Sequence, residues 1–522
     1  MPLSQSKLLV RVDAGIHTGT DRIRGIHGLA REYRQHGGHT TIVCSEIPNS
    51  LRRRIEHDCI TVLQTGKPAG SVDDCFATQD IIAHERPDWL AIDGAAFDTN
   101  YLDQIATNIR RVSILDGIAR GRSNLIVDDT WNHVPDDSTN FGSHVQQSLK
   151  SEWLSGPSFS LIDRQRPQQP INRKIVAEAK KILVWIHGAD VDNWTLRTLQ
   201  SLSDLATKRM TVDCLVGQNY DHFAELENFK RYSNVTLRIH KNVDRLDPLA
   251  ERSDLAISSG HTGCYSLAYY GVPTILVSTA ESNQKVIAAL HQNRAALSIA
   301  HQHQPNTGHP PTAFETIKKL LNDRFRRHSL SRHAMDLVDG QGAKRIINCM
   351  ATRSVSVRSA NDSDCELFWQ WRNDPEVLAA ALNQTPVAWS TLTDWFSHAQ
   401  ADPNQMIWVI ENATDQPIGE IEVRINDYGD QAELNMLLNQ QHRSHATKAM
   451  LIQIALEKIF ATTEVVQVLA QTRNGNIDSE KSFRAAGFET IAPTIINGVM
   501  ASQFLFAREQ SQHQAGHSNK AA

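Results

Sequence analysis

"KLLVRVDAGIHTGTDRIRGIHGLAREYRQHG", residues 7–37, decides the reading of the N-terminal part. It opens with a short apolar run, passes through a turn containing Gly15 and Gly19, and enters an amphipathic helix whose first basic residues are Arg22 and Arg24. Gly37 and Gly38 suit a helix stop. Strand, glycine-containing turn and helix in that order can hold a phosphate, because free backbone N–H groups at a helix start point at the anion. This turn, however, runs into Asp21 and Arg22, where a simple phosphate cradle carries only small residues.

The same alternation continues outward. "TTIVC" (40–44), "WLAID" (89–93), "RVSILD" (111–116) and "NLIVDD" (124–129) are short apolar runs between helix-like segments, the pattern of a parallel α/β domain over residues 1–165. A polar stretch, "DRQRPQQPINRK" (163–174), reads as a linker. "KILVWIHG", "TVDCLVG", "VTLRIH", "DLAISSG" and "PTILVS" then repeat the pattern over 175–350. Two Rossmann-like units joined in this way place a ligand cleft between them, at the carboxyl ends of their strands. Past a second polar region, "AHQHQPNTGHPPT" (300–312), and a helix through about 350 the chain changes character. Residues 355–508 hold antiparallel-looking strands, a helix, the strand "VVQVLAQT" and another helix, an α+β order. The polar tail 509–522 reads as disordered. The fold class expected is α/β, two Rossmann-like domains followed by an α+β domain.

At 522 residues the chain is too long for one core, and about three domains are expected. Hydrophobic residues at 40% and charged residues at 21% are those of a soluble globular protein, and a net charge of -5 gives no reason to expect a nucleic-acid partner. The seven cysteines are scattered, with no CxxC pair or Cys/His metal spacing, so reduced thiols in a cytoplasmic protein and no metal site are expected. No signal-peptide h-region and no run long enough to span a bilayer is present, so no membrane partner is expected. Oligomeric state is not legible.

Within 7–300, "RVDAGIHTGTDRIRG", "WLAIDG", "ILDGIA", "VDDT", "LSGPSFSLI" (154–162), "WIHGADVDNWT" (185–195), "SSGHTGCYSLAYYGVPTILV" (258–277) and "ESNQ" (281–284) follow one another. This collinear set resembles the UDP-2,4-diacetamido-2,4,6-trideoxy-β-L-altropyranose hydrolase family of the pseudaminic acid pathway, with its spore-coat polysaccharide relatives. The resemblance implies a GT-B architecture of two facing Rossmann domains and a UDP-sugar ligand. Gly188, Asp190 and Asn193 at one turn, and Gly260, His261 and Thr262 at another, would offer backbone N–H groups to phosphate or ribose oxygens. Asn283 and Gln284 would offer amides to sugar hydroxyls. Asp13 and Gly19 fall in the first loop. Read one at a time, these are also ordinary tight αβ turns.

The departures from that family lie at the chemistry. Its first loop reads Gly-x-Gly-His, with the histidine as acid/base. Aligning on Gly19 puts Asp21 at the second glycine and Arg22 at the histidine. Arginine does not release its proton in a protein and cannot act as a general base. A one-residue slip would offer Asp21 instead, and His17 and His27 lie nearby. Ser266 stands where a ribose-binding glutamate is expected, and only Asp93 remains of an Asp-His-Tyr triplet. The expectation is a hydrolase-like module that has lost its usual reaction and still binds a nucleotide-sugar.

Residues 356–490 carry "VRSANDSDCELFWQWRNDPEV", "WFSHAQADPNQMIWVIEN", "PIGEIEV", "AELNMLLNQQHRSHATKAMLIQIALEKIF" and "NGNIDSEKSFRAAGF". Together they resemble GNAT N-acetyltransferases, most closely the type that acetylates the 4-amino group of a UDP-linked amino sugar. The resemblance implies acetyl-CoA as cosubstrate, with its pyrophosphate on the loop "RSHATK": Arg443, Ser444, His445, Ala446, Thr447 and Lys448. The family loop reads Arg/Gln-x-x-Gly-x-Gly/Ala, so Ala446 and Lys448 replace its small residues. The strand "NMLL" would splay and turn the backbone of Leu437 and Leu438 to the acetyl carbonyl and the pantetheine amide. Asn476 and Ser479 would begin the next helix beside the cofactor. Glu433 and His442 are the candidate proton acceptors. Both resembled families act on UDP-linked amino-sugar intermediates of one nonulosonic acid pathway. Three functions fit: an acetyltransferase fused to a degenerate hydrolase-like module, a fully bifunctional enzyme using Asp21 or a nearby histidine, and a nucleotide-sugar-binding protein without turnover.

Overall fold

The computed structural model of the chain describes residues 3–12, 21–94, 96–105, 109, 111–115, 124–130, 152–162, 173–186, 190–206, 210–217, 220–241, 243, 245–299, 313–412, 414–443 and 445–508. Asp13, Gly19, Gly188, Ser444, the tail 509–522 and most of the two polar connections lie outside the described residues, as do the side chains of Asp21, His445 and Ala446. The chain divides into two compact units, Ser6–Cys349 and Met350–Ala522, with Met1–Gln5 grouped with the second.

In the first unit, β1 (Lys7–Val12), β2 (His39–Cys44), β3 (Thr61–Gln64), β4 (Trp89–Asp93), β5 (Arg111–Ile114), β6 (Leu125–Asp128) and β7 (Glu152–Ser155) form one parallel sheet in the order β3-β2-β1-β4-β5-β6-β7. A second parallel sheet holds β8 (Lys181–Trp185), β9 (Thr211–Val216), β10 (Thr236–Lys241), β11 (Leu255–Ser258), β12 (Thr274–Val277) and β13 (Leu297–Ile299) in the order β10-β9-β8-β11-β12-β13. The central strands are buried on both faces: after Lys7 every residue of β1 is buried, as is every residue of β4 and β11. Helices cover both faces of such sheets, which is why these strands read as unbroken apolar runs. The first of these helices, Asp21–Gln35, buries Ile23, Ile26, Leu29, Ala30 and Tyr33, one stripe at helical spacing. Strand order reverses between β1 and β4 and again between β8 and β11, so each sheet opens a crevice beyond the carboxyl ends of those two strands.

The second unit is built on one mixed sheet: β14 (Ser356–Ser359), β15 (Gln405–Glu411), β16 (Pro417–Ile425), β17 (Gln431–Leu438), β18 (Gln467–Arg473), β19 (Glu489–Ile496) and β20 (Val499–Ala507), in the order β14-β15-β16-β17-β18-β20-β19. All neighbours are antiparallel except β17 and β18, which the helix His445–Thr462 connects in parallel. That helix buries Leu451, Ile452, Ala455, Leu456 and Ile459 against one face of the sheet. The other face is covered by the helices Cys365–Arg372 and Trp389–Ala401, through Phe368, Trp371, Leu392 and Phe396.

Candidate functional site

The two crevices of the first unit bring together residues far apart in sequence. Arg22, in the first turn of the helix after β1, reaches Asp93 at the end of β4, with Nη1 at 2.5 Å from Oδ1. The residue at the expected acid/base position is thus held by the one survivor of the expected triplet. In the second sheet, Ser258 donates its hydroxyl to the Trp185 carbonyl, and the Trp185 and His261 rings meet edge-on at 4.3 Å between centroids. His261 is buried, with Nδ1 accepting from the Gly263 N–H and Nε2 at 3.2 Å from the Ser258 hydroxyl, so its ring shapes this turn. Gly260 takes φ +65°, and a Cβ there would meet Ile287.

The ends of the two sheets are tied to each other. Arg24 donates to the Val243 carbonyl beyond β10, and the Tyr265 hydroxyl donates to the Asp129 carbonyl beyond β6. A small cleft there is lined by Arg24, Leu161, Trp185, Thr262, Ser266 and Tyr270. Thr262 and Ser266 therefore line a cleft, together with Arg24 and Trp185, which the motifs do not single out. Arg24 is the second basic residue of the first helix, and Trp185 the last residue of an apolar strand, so the sequence carried a weak signal for each.

Other expected ligands have side chains committed elsewhere. Asp190 accepts from the Trp194 and Thr195 N–H groups, and Asn193 Oδ1 accepts from the Leu196 N–H and the Tyr220 hydroxyl. Both cap the helix Trp194–Leu205, and both have positive φ. Asn283 donates to the Thr279 hydroxyl and Gln284 to that of Ser278. Asn283 and Gln284, expected to offer amides to sugar hydroxyls, donate instead to hydroxyls of their own chain, whereas for Asp190 and Asn193 the expectation concerns backbone N–H groups, and that of Asn193 donates to the Asp190 carbonyl.

In the second unit β17 and β18 pair only through Gln431–Glu433 and Gln467–Leu469. On its other edge β17 stays paired with β16 as far as Leu438. The two parallel strands thus part after Glu433, which leaves the β18 side of the Leu437 and Leu438 backbone outside the ladder. The helix His445–Thr462 begins just beyond, with no acidic residue in its first turn. Thr447 is buried there, and burial pulls the Lys448 ammonium below its usual range. Asn476 caps the helix Ile477–Ala485 by accepting from the Ser479 N–H. Of the expected cofactor residues, Leu437 and Leu438 thus lie on β17 past its last pairing with β18, Thr447 and Lys448 in the first turn of the helix His445–Thr462, and Asn476 and Ser479 at the start of the helix Ile477–Ala485.

The side chains of Arg443 and His442 are both engaged within the chain. Arg443 donates through Nε to the Leu438 carbonyl and through Nη1 to Asp374 (2.9 Å) and Glu376 (2.8 Å), so its guanidinium is neutralised within "WRNDPEV". His442 is buried, with Nδ1 bonded to the Asn439 side-chain oxygen. Glu433 sits on β17 opposite Arg424, half-buried, and burial raises its carboxyl above the ordinary range. On the same face lies a carboxylate that was not foreseen. Glu420 is buried on β16 opposite Leu437, with Oε1 accepting from Arg372 Nε at 2.8 Å. The alternation in "GEIEV" was its signal: Ile421 and Val423 enter the apolar core under the long helix, so Glu420 and Glu422 face the other way.

Residues 355–489 match the family model described as the acetyltransferase (GNAT) domain. The second unit thus carries a GNAT acetyltransferase domain. The uncharacterized protein MJ1062 of Methanocaldococcus jannaschii is 20% identical over 511 residues, covering 92% of this chain and 96% of its own, so the similarity runs through both units. Among solved structures, a spermidine N-acetyltransferase from Vibrio cholerae in complex with CoA and spermine is 16% identical, covers 30% of this chain and 96% of its own, and superposes with a TM-score of 0.28. An aminoglycoside acetyltransferase AAC(6')-Ib in complex with coenzyme A is 15% identical, with coverages of 30% and 95% and a TM-score of 0.27. No helix of the described residues is long and apolar enough to cross a membrane.

Proposed function

We propose that the chain is an acetyl-CoA-dependent N-acetyltransferase acting on a UDP-linked amino sugar, with residues 6–349 serving as a GT-B-like nucleotide-sugar module whose hydrolytic residues are lost. The parting of β17 from β18 is the observation that carries the transferase reading. Backbone left outside the ladder there, a helix start without acidic residues and the partly desolvated Lys448 form a donor set suited to a pantetheine and pyrophosphate chain. The cosubstrate supplies an activated acetyl group. The domain's own task is to hold a neutral amine against it, since proximity accounts for most of the rate in such a transfer.

The UDP-sugar part rests on the collinear motifs of 7–300 and on the cleft shared by Arg24, Thr262 and Ser266. The Arg22–Asp93 ion pair favours lost hydrolysis over a bifunctional enzyme, because it ties up the two groups that stand at the hydrolytic positions. Purified protein is to be incubated with acetyl-CoA and a panel of UDP-linked amino sugars, and products read by mass. Acetylated UDP-sugar is expected, with UDP release absent or far below about one per second. Rapid UDP release would overturn the lost-hydrolysis reading, and acetylation of free amines alone would overturn the UDP-sugar assignment.

A further inference from the structure

On the sheet face beneath the helices Cys365–Arg372 and Trp389–Ala401, β16 and β17 present charged side chains beside an apolar cluster. Arg372 lies at its centre. Its guanidinium stacks on the Trp395 ring at 3.9 Å and donates to Glu420 and, at 3.4 Å, to Glu422. Glu422 is also held by Gln405, at 2.8 Å. Glu420 differs from its neighbour. Its side chain is 7% exposed, and its second oxygen, Oε2, is buried with no hydrogen-bond partner. An unmet buried carboxylate oxygen is costly unless something else binds it. Its place is informative too. Glu420 is directly opposite Leu437, one strand spacing of about 4.8 Å from the backbone that leaves the ladder where β17 and β18 part.

We propose that Glu420 takes the proton from the acceptor ammonium in the acetyl transfer, a role resting on the transferase reading above. The balance is simple. The ammonium gives one proton to Oε2, directly or through one water. The freed amine lone pair then forms the N–C bond to the carbonyl of the acyl thioester, the C–S bond breaks, and the thiolate leaves and takes up, through water, the proton that Glu420 accepted, which returns the carboxylate. The amide nitrogen loses its second proton to solvent. Arg372 keeps the carboxylate oriented through Oε1 and leaves Oε2 to the substrate. Burial, opposed by Arg372 and reinforced by Glu422, lifts the Glu420 carboxyl to about 7, where a proton acceptor works best at neutral pH. The charged groups facing it are Arg372 from the helix and Glu422 from its own strand.

The test uses the full chain as wild type, Glu420→Gln and Glu420→Asp. The first readout is thiol release from acetyl-CoA against the amine panel between pH 5.5 and 9. The wild-type rate is expected to rise through neutral pH. Glu420→Gln should lower kcat on the order of 10²-fold and flatten that rise, with acetyl-CoA binding unchanged by calorimetry, and Glu420→Asp should recover part of the rate. The second readout is thermal stability against pH. A carboxyl raised in the folded state binds its proton more tightly there than in the unfolded chain. Its stabilisation is complete below the ordinary glutamate range and is lost as pH rises through about 7. The wild-type Tm should therefore fall relative to Glu420→Gln between pH 5 and pH 8. Full activity with an unchanged pH profile in Glu420→Gln overturns the assignment alone, as does a Tm difference independent of pH. A wild type that acetylates no amine overturns the transferase reading and this assignment with it.

Discussion

An arginine between a strand end and a helix start can serve an anion from outside or a carboxylate from its own chain, and its fork geometry suits both. Arg443 takes the second course, with Asp374 and Glu376 as partners. The phosphate contact expected of its loop concerns backbone N–H groups, whereas the side-chain partner Asp374 lies 69 positions away and is invisible in the local sequence. Asp374 also accepts from the Glu376 and Val377 N–H groups, capping the helix Pro375–Ala380. The hydrogen bond from Arg443 holds its carboxyl below the ordinary range. Replacing Asp374 with Ala removes a cap and an ion-pair partner together. A loss of about 1–2 kcal/mol is expected at pH 7 by denaturant titration. The depressed carboxyl gives stability that is present above the ordinary aspartate range and lost as pH falls through its folded value, so the gap to Asp374→Ala should narrow on acidification. A gap that widens at low pH would contradict the pairing.

Among the elements, strands buried on both faces were the most legible. β1, β4 and β11 read as unbroken apolar runs because helices cover the parallel sheets on both sides. The helix Asp21–Gln35 was equally plain from its apolar stripe and its stop at Gly37, which has φ +89°. The parting of β17 and β18 was expected from resemblance alone, since no local pattern says where a parallel pair stops. Gly419 shows how closely that region is packed. A Cβ there would lie 2.5 Å from the Leu437 carbonyl oxygen and 2.5 Å from the Leu438 side chain. Gly419→Ala must therefore push β17 away from β16, at the residues whose backbone faces the gap. It should lower stability by about 1–3 kcal/mol, the usual cost of overpacking. It should also weaken acetyl-CoA binding in calorimetry by more than that stability loss explains at temperatures where the variant remains folded. Unchanged cofactor affinity would separate the β16 edge of β17 from its cofactor edge.

At the scale of the whole chain, the division near residue 349 carries its own prediction. The apolar clusters on the two faces of the mixed sheet draw all their residues from 355–506, so this unit has a complete core of its own. A fragment of residues 350–508 should fold cooperatively without the parallel sheets, because a domain with its own core and sheet does not need its neighbour's surface. It should bind acetyl-CoA as tightly as the full chain, since the strand gap, the helix start and Lys448 all lie within it. UDP should bind the complementary fragment, residues 6–349, whose cleft unites Arg24, Thr262 and Ser266. Circular dichroism melts and calorimetry with acetyl-CoA and UDP on both fragments decide the matter. A folded 350–508 fragment that has lost acetyl-CoA affinity would mean that the cofactor site draws on residues before 350. UDP bound by neither fragment would leave the parallel sheets without their proposed ligand while leaving acetyl transfer untouched.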